Sequence, residues 1–105
     1  AVLQSLDAAW NAKDIDGVMA LYGEDAVEVA GPDTFEGKQA IRVVFEDQIY
    51  DYTRTCSDFQ VEGNKVAYKC VITFIRGGGK TAGFWEATVK NGLIVLNKYI
   101  SATTP

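Results

Sequence analysis

Apolar and polar positions along the chain change period partway through. Leu3, Leu6 and Trp10 fall on one face of a helix over 2–12, with Val2 and Ala9 beside it. Ile15, Val18, Met19 and Tyr22 repeat at helical spacing over 14–22, with Asp14 as N-cap and Gly23 as stop. Residues 26–31, "AVEVAG", alternate as a short strand that ends at Gly31-Pro32. Helical period returns over 37–50 through Ile41, Val44, Phe45, Gln48 and Ile49. From residue 53 onward the pattern is strand-like: "TRTCSDFQV", "KVAYKCVITFIR", "KTAGFWEATVK" and "LIVLNKYISAT", separated by "EGN", "GGG" and "NG". Helices followed by a meander predict an α+β fold, with helices covering one face of an antiparallel sheet.

Pairing Val61 with Val66 sets Phe59 opposite Tyr68, Asp58 opposite Lys69 and Glu62 opposite Lys65, two favourable charge pairs. The same register sets Cys56 opposite Val71, on the face away from Cys70, which argues against a disulfide between them. Both cysteines then read as small buried hydrophobes. In the last hairpin, a two-residue Asn91-Gly92 loop pairs Lys90 with Leu93. Continued, it sets Thr88 opposite Val95, Glu86 opposite Asn97 and Phe84 opposite Tyr99, on one face. The other face carries Trp85, Ala87, Val89, Ile94, Leu96 and Ile100. A sheet that is apolar on both sides is expected to be covered twice, by its own helices and by a second subunit. The outer surface expected to dimerise is Val71, Ile75, Trp85, Ala87, Leu96 and Ile100.

The 105 residues suit one domain over 1–105, and a chain with 48% hydrophobic residues can bury a core. A net charge of -4 with scattered Lys and Arg argues against nucleic-acid binding. No apolar stretch reaches the roughly 20 residues of a membrane span, and no signal peptide is visible from Ala1 onward, so a cytoplasmic location is expected. Histidine is absent, which removes His-based triads, His metal sites and a His general base together. "GGGK" at 77–80 lacks phosphate-loop spacing, and nothing in the sequence calls for a cofactor or a metal.

"AWNAKDIDGVMALYGEDAVEV" followed by "FEGKQAIRVVFED" resembles the NTF2-like superfamily, which includes ketosteroid isomerases and SnoaL-like cyclases. The resemblance covers nearly the whole chain. It implies a cone, with three N-terminal helices packed on a strongly curved antiparallel sheet, a pocket inside, and a homodimer formed through the outer sheet face. It carries fold better than function, because the superfamily hosts many activities. Matched to the ketosteroid isomerases, the position of the general base falls on Ala30, or on Gly31 if Pro32 sets the alignment, and that of the oxyanion-hole tyrosine on Leu6. The oxyanion-hole acid falls on Glu86. Only one of three roles survives, so steroid isomerisation by that route is not expected. SnoaL-like cyclases use an Asp/His pair, and limonene-epoxide-hydrolase-like members need a carboxylate in the last strand, where this chain reads "LNKYIS".

The implied pocket is lined by Leu6, Trp10, Tyr22, Ala30, Phe74, Phe84, Val95, Asn97 and Tyr99. Glu86 is the candidate acid/base, and Asp33 a candidate displaced base that also suits a turn after Gly31-Pro32. Three functional classes follow. The first is a protein that binds a small apolar or amphipathic ligand in the cone. The second is an isomerase, dehydratase or cyclase that uses Glu86, and the third a dimerisation module with an incidental cavity. The missing base favours the first.

Overall fold

Leu3, Leu6 and Trp10, spaced three and four residues apart, form the buried stripe of helix α1 (Val2–Asn11). The computed structural model describes residues 2–102. A turn at Lys13, whose φ is +60°, leads to Asp14, whose side chain caps the short helix α2 (Ile15–Met19) through the Gly17 N–H at 3.0 Å. The helix expected to run to residue 22 stops at Met19. Tyr22 pairs with Ile94 instead and starts strand β1 (Tyr22–Ala30). The tight Gly31-Pro32 turn, with Gly31 at φ +64°, returns the chain as β2 (Asp33–Glu36), a strand absent from the expected pattern. Helix α3 (Lys38–Gln48) buries Ile41 and Phe45 and is followed by buried Ile49. Four long strands complete the chain: β3 (Tyr52–Glu62), β4 (Lys65–Phe74), β5 (Lys80–Lys90) and β6 (Leu93–Ala102).

The sheet runs β2-β1-β6-β5-β4-β3. It is mixed rather than wholly antiparallel, because β1 runs parallel to β6. Helix α1 packs on β3 and α3 on β1, so the core lies between the helices and one sheet face. Trp10 anchors it, stacked on Tyr52 (centroids 5.1 Å apart) and edge-on to Phe45 (5.2 Å). Each such large buried side chain contributes on the order of 1.5–3 kcal/mol of transfer free energy.

β3 is an edge strand, and α1 side chains satisfy backbone groups along it. The Asn11 amide donates to the Arg54 carbonyl (2.7 Å) and accepts from the Arg54 N–H (2.8 Å). Trp10 Nε1 donates to the Tyr52 carbonyl (3.1 Å), and the Cys56 N–H donates to Asp7 (2.8 Å). These bonds both blunt the edge and fix where α1 lies.

Two hairpins start in the expected register and then leave it. Glu62 faces Lys65 and Val61 faces Val66, but the register shifts between Ser57 and Gln60, where Asp58 adopts φ +57°. Two β3 residues, Asp58 and Phe59, stand against Tyr68, so Ser57 rather than Asp58 faces Lys69 and Cys56 faces Cys70. Cys56 and Cys70 form a disulfide, which corrects their reading as separate thiols. In the last hairpin Lys90 faces Leu93 and Val89 faces Ile94. Val95 is then an extra residue, and Thr88 faces Leu96, Ala87 faces Asn97 and Glu86 faces Lys98. A shift of one residue exchanges the faces of everything beyond it. Here β5 is the strand that reverses: Asn97 stays inside as expected, at 1% exposure, Ala87 turns into the core at 0%, and Glu86 turns out and pairs with Lys65 at 3.9 Å. The expected dimer surface therefore loses Ala87 to the core and Trp85 to an inner cavity.

Candidate active site

Alternation along β1 puts Ala26, Glu28 and Ala30 on the face opposite Val27 and Val29, and the first two of these are buried. Glu28 is 5% exposed and lies at the wall of a cavity of about 150 Å³ between the helices and the sheet. The apolar wall includes Trp10, Phe35, Phe45, Ile72 and Trp85, and the polar side chains are Glu28, Gln48, Tyr52 and Arg54.

Two neighbours hold Glu28 in place. The Tyr22 hydroxyl donates to Oε1 (3.0 Å), and Asn97 Nδ2 donates to Oε2 (3.2 Å). Asn97 is oriented in turn by the Tyr68 hydroxyl, which donates to its Oδ1 at 2.5 Å. The two donors, one on each oxygen, fix the carboxyl plane. Burial pushes the Glu28 carboxyl up to about 7, and the Tyr22 hydrogen bond, the Arg54 charge and the Asn97 hydrogen bond each pull the other way. The carboxyl therefore exchanges its proton near neutrality, where a general acid or base is most effective. Burial also holds the Tyr22 phenol well above its ordinary range, with the Glu28 charge adding to the effect, and pushes the Tyr68 phenol up to about 12. Both tyrosines therefore stay protonated and serve as donors.

Arg54, on β3, is buried at 7% exposure. Its Nε donates to Asp7 Oδ1 at 2.7 Å, and its Nη2 lies 3.2 Å from Cys56 Sγ and 3.5 Å from Cys70 Sγ. The bulge in β3 sets Cys56 opposite Cys70; Arg54 and Cys70 stand in the cavity wall, and Asp7 pairs with Arg54 behind it.

The residues singled out in the sequence are spread over several places. Trp10 and Ala30 line the cavity. Tyr22 and Asn97 hold the carboxyl beside it. Leu6 lies in the core at 0% exposure, and Tyr99 packs edge-on against Trp85 with centroids 5.2 Å apart. Phe74 and Phe84 are exposed, Val95 is the bulge residue of β6, and Asp33 is exposed at the β1–β2 turn. Glu86 sits on the outer face, away from the cavity it was expected to serve. Glu28, Arg54 and Tyr68 were missed. The signal for Glu28 was the alternation itself, since it stands two residues before Ala30, already placed inside. A larger groove of about 290 Å³ opens between α1 and the β3–β4 hairpin, lined by residues such as Val2, Phe59, Val61 and Val89. None of its lining residues is titratable, unlike the smaller cavity, where Glu28 and Arg54 stand in the wall.

The SnoaL-like domain family matches residues 2–97. A comparison with curated proteins gives no match. Among solved structures, a proposed polyketide cyclase from Sinorhizobium meliloti superposes with a TM-score of 0.83 at 18% identity, covering 94% of this chain and 93% of its own. An NTF2-like protein of unknown function from Cytophaga hutchinsonii gives 0.83 at 15% identity, with 95% and 86% covered. A Mycobacterium tuberculosis protein in complex with estradiol-17β-hemisuccinate gives 0.80 at 23%, with 98% and 95% covered. At these identities the likeness establishes the fold.

Proposed function

The chain belongs to the SnoaL-like domain family, and we propose that it binds a small, mostly apolar molecule in the cavity beside Glu28. The cavity volume carries the size argument. At about 150 Å³ it matches a site known to take benzene and falls below the roughly 300–1,000 Å³ of drug-sized pockets. A single-ring ligand fits these dimensions better than the steroid ester held by the Mycobacterium tuberculosis neighbour.

A second reading, catalysis, is favoured by Glu28. A carboxyl that titrates near 7 at a cavity wall, with both oxygens already positioned, can remove a proton from a carbon or hydroxyl and return it at another atom. That is the proton economy of an isomerase, dehydratase or cyclase. Glu28 takes the acid/base role first given to Glu86.

Both parts are testable with small cyclic ketones and phenols. Ligand-observed NMR is expected to detect binding, and deuterium exchange next to the ketone carbonyl is expected to be catalysed. Glu28→Gln should still bind and lose the exchange. Absence of binding removes the ligand reading, and exchange unaltered by Glu28→Gln removes the catalytic one.

The outer face still supports a homodimer. Phe84, Ile75 and Ile100 are 46%, 54% and 51% exposed, a sizeable apolar surface for so small a domain. Sedimentation at micromolar concentration is expected to give a dimer that Phe84→Lys splits; a monomeric wild type would refute it.

A further inference from the structure

Arg54 has more donors than strong acceptors. Its guanidinium carries five N–H groups in a planar fork, suited to a two-oxygen anion. Among the described residues its ion pair is to a single carboxylate oxygen, Asp7 Oδ1, through Nε. The other Asp7 oxygen is occupied by the Cys56 N–H. Nη2 meets the two disulfide sulfurs, which are weak acceptors, and the Tyr68 oxygen accepts from Arg54 while its hydroxyl proton goes to Asn97. These contacts use one carboxylate oxygen, two sulfurs and one hydroxyl oxygen, so none of them is the two-oxygen partner that the planar fork fits best. The same side chain lines the cavity, as does Glu28, so a ligand oxygen there could reach the fork.

We infer that Arg54 is a specificity-determining residue that selects a ligand bearing a carboxylate, held by the guanidinium while the apolar ring lies against Trp10, Phe45 and Trp85. This inference rests on the reading of the cavity as a ligand site and adds the chemical class of the ligand. Charge-assisted, two-oxygen contacts are the strong ones in a site shielded from water. Trp10, Phe45 and Trp85 supply flat apolar area but no means of telling an acid from its amide. Arg54 supplies that distinction.

The test compares benzoate, benzamide and benzyl alcohol, probes of one size and different charge, by titration calorimetry at pH 6. At that pH Glu28 is mostly protonated and does not repel the anion. Benzoate is expected to bind about tenfold or more tighter than benzamide, the scale of one charge-assisted bond. Arg54→Lys keeps the charge and loses the fork, and should remove most of the preference. Removing Arg54 alone leaves Asp7 buried without its cation, so the second variant is the double Asp7→Asn, Arg54→Gln, which takes out both charges. It should show no preference for benzoate over benzamide. Equal wild-type affinity for benzoate and benzamide overturns the inference while leaving the ligand site standing. A preference that survives in Arg54→Lys or in the double variant overturns it as well. No binding of any probe overturns both readings. If the double variant fails to fold, the wild-type comparison and Arg54→Lys still decide.

Discussion

Replacing Glu28 by Gln should flatten the dependence of stability on pH. The folded protein holds the Glu28 proton up to about pH 7, whereas the unfolded chain releases it near the ordinary value of 4.5. Below 4.5 both states are protonated and the group does not bias folding. Between 4.5 and 7 the folded state binds more protons than the unfolded one, so stability falls as pH rises. Above 7 both states are ionised, and the cost of the buried charge is fully present. Each tenfold difference in proton affinity between the folded and unfolded states is worth about 1.4 kcal/mol. The whole effect is therefore about 3 kcal/mol, of which about 2–3 kcal/mol falls between pH 5 and pH 8.

Other side chains leave this window nearly clear. The sequence contains no histidine, and the burial of Tyr52 and Tyr68 pushes their phenols up to about 12, far above it. Urea unfolding at pH 5, 6, 7 and 8 measures the effect directly. The wild type should lose about 2–3 kcal/mol across the series, and Glu28→Gln should change by less than about 0.5 kcal/mol. Gln keeps an oxygen for Tyr22, but its amide meets the Asn97 amide, so the variant should lose about 1 kcal/mol at pH 5 and overtake the wild type by pH 8. Parallel curves for the two proteins would show that the Glu28 carboxyl titrates as it would in water, and the acid/base reading would fall with it.

Removing the disulfide with Cys56→Ser and Cys70→Ser should cost about 3 kcal/mol in urea unfolding, the chain-entropy value for a loop closed by residues 14 apart; a loss under about 1 kcal/mol would contradict it. Glu86→Gln removes only an exposed ion pair with Lys65, and both stability and ligand binding should stay within about 0.5 kcal/mol of wild type. A marked change in ligand affinity would put Glu86 back at the site. Gly83→Ala should destabilise by about 1–3 kcal/mol, because the new Cβ would stand 2.8 Å from the Tyr99 ring. An unchanged midpoint would mean that Tyr99 swings away from Trp85 freely.

The helical stripe of Leu3, Leu6 and Trp10, the Asp14 cap, the Gly31-Pro32 turn and the Asn91-Gly92 hairpin were all legible, because each is a local signal of period or turn chemistry. The site was not legible by the same means. Which face of a strand looks inward depends on every residue between it and its turn, and one extra residue reverses the answer. Val95 is such a residue, and so is one of the pair Asp58–Phe59. Neither is a glycine that would mark a bulge, and the Asp58–Lys69 charge pair made the unbulged register look sound. Those two positions reversed the assignments of Glu86 and Cys56, and with them hid the disulfide. β1 has its own register shift between Tyr22 and Val27, yet Glu28 escapes the difficulty, since it lies beyond that shift and only two residues from Ala30. A short count from a secure anchor carries more information than a long count from a strong turn. The carboxyl nearest the anchor was therefore the better candidate: Glu28, and not Glu86, is the one buried at the cavity wall beside Tyr22 and Asn97.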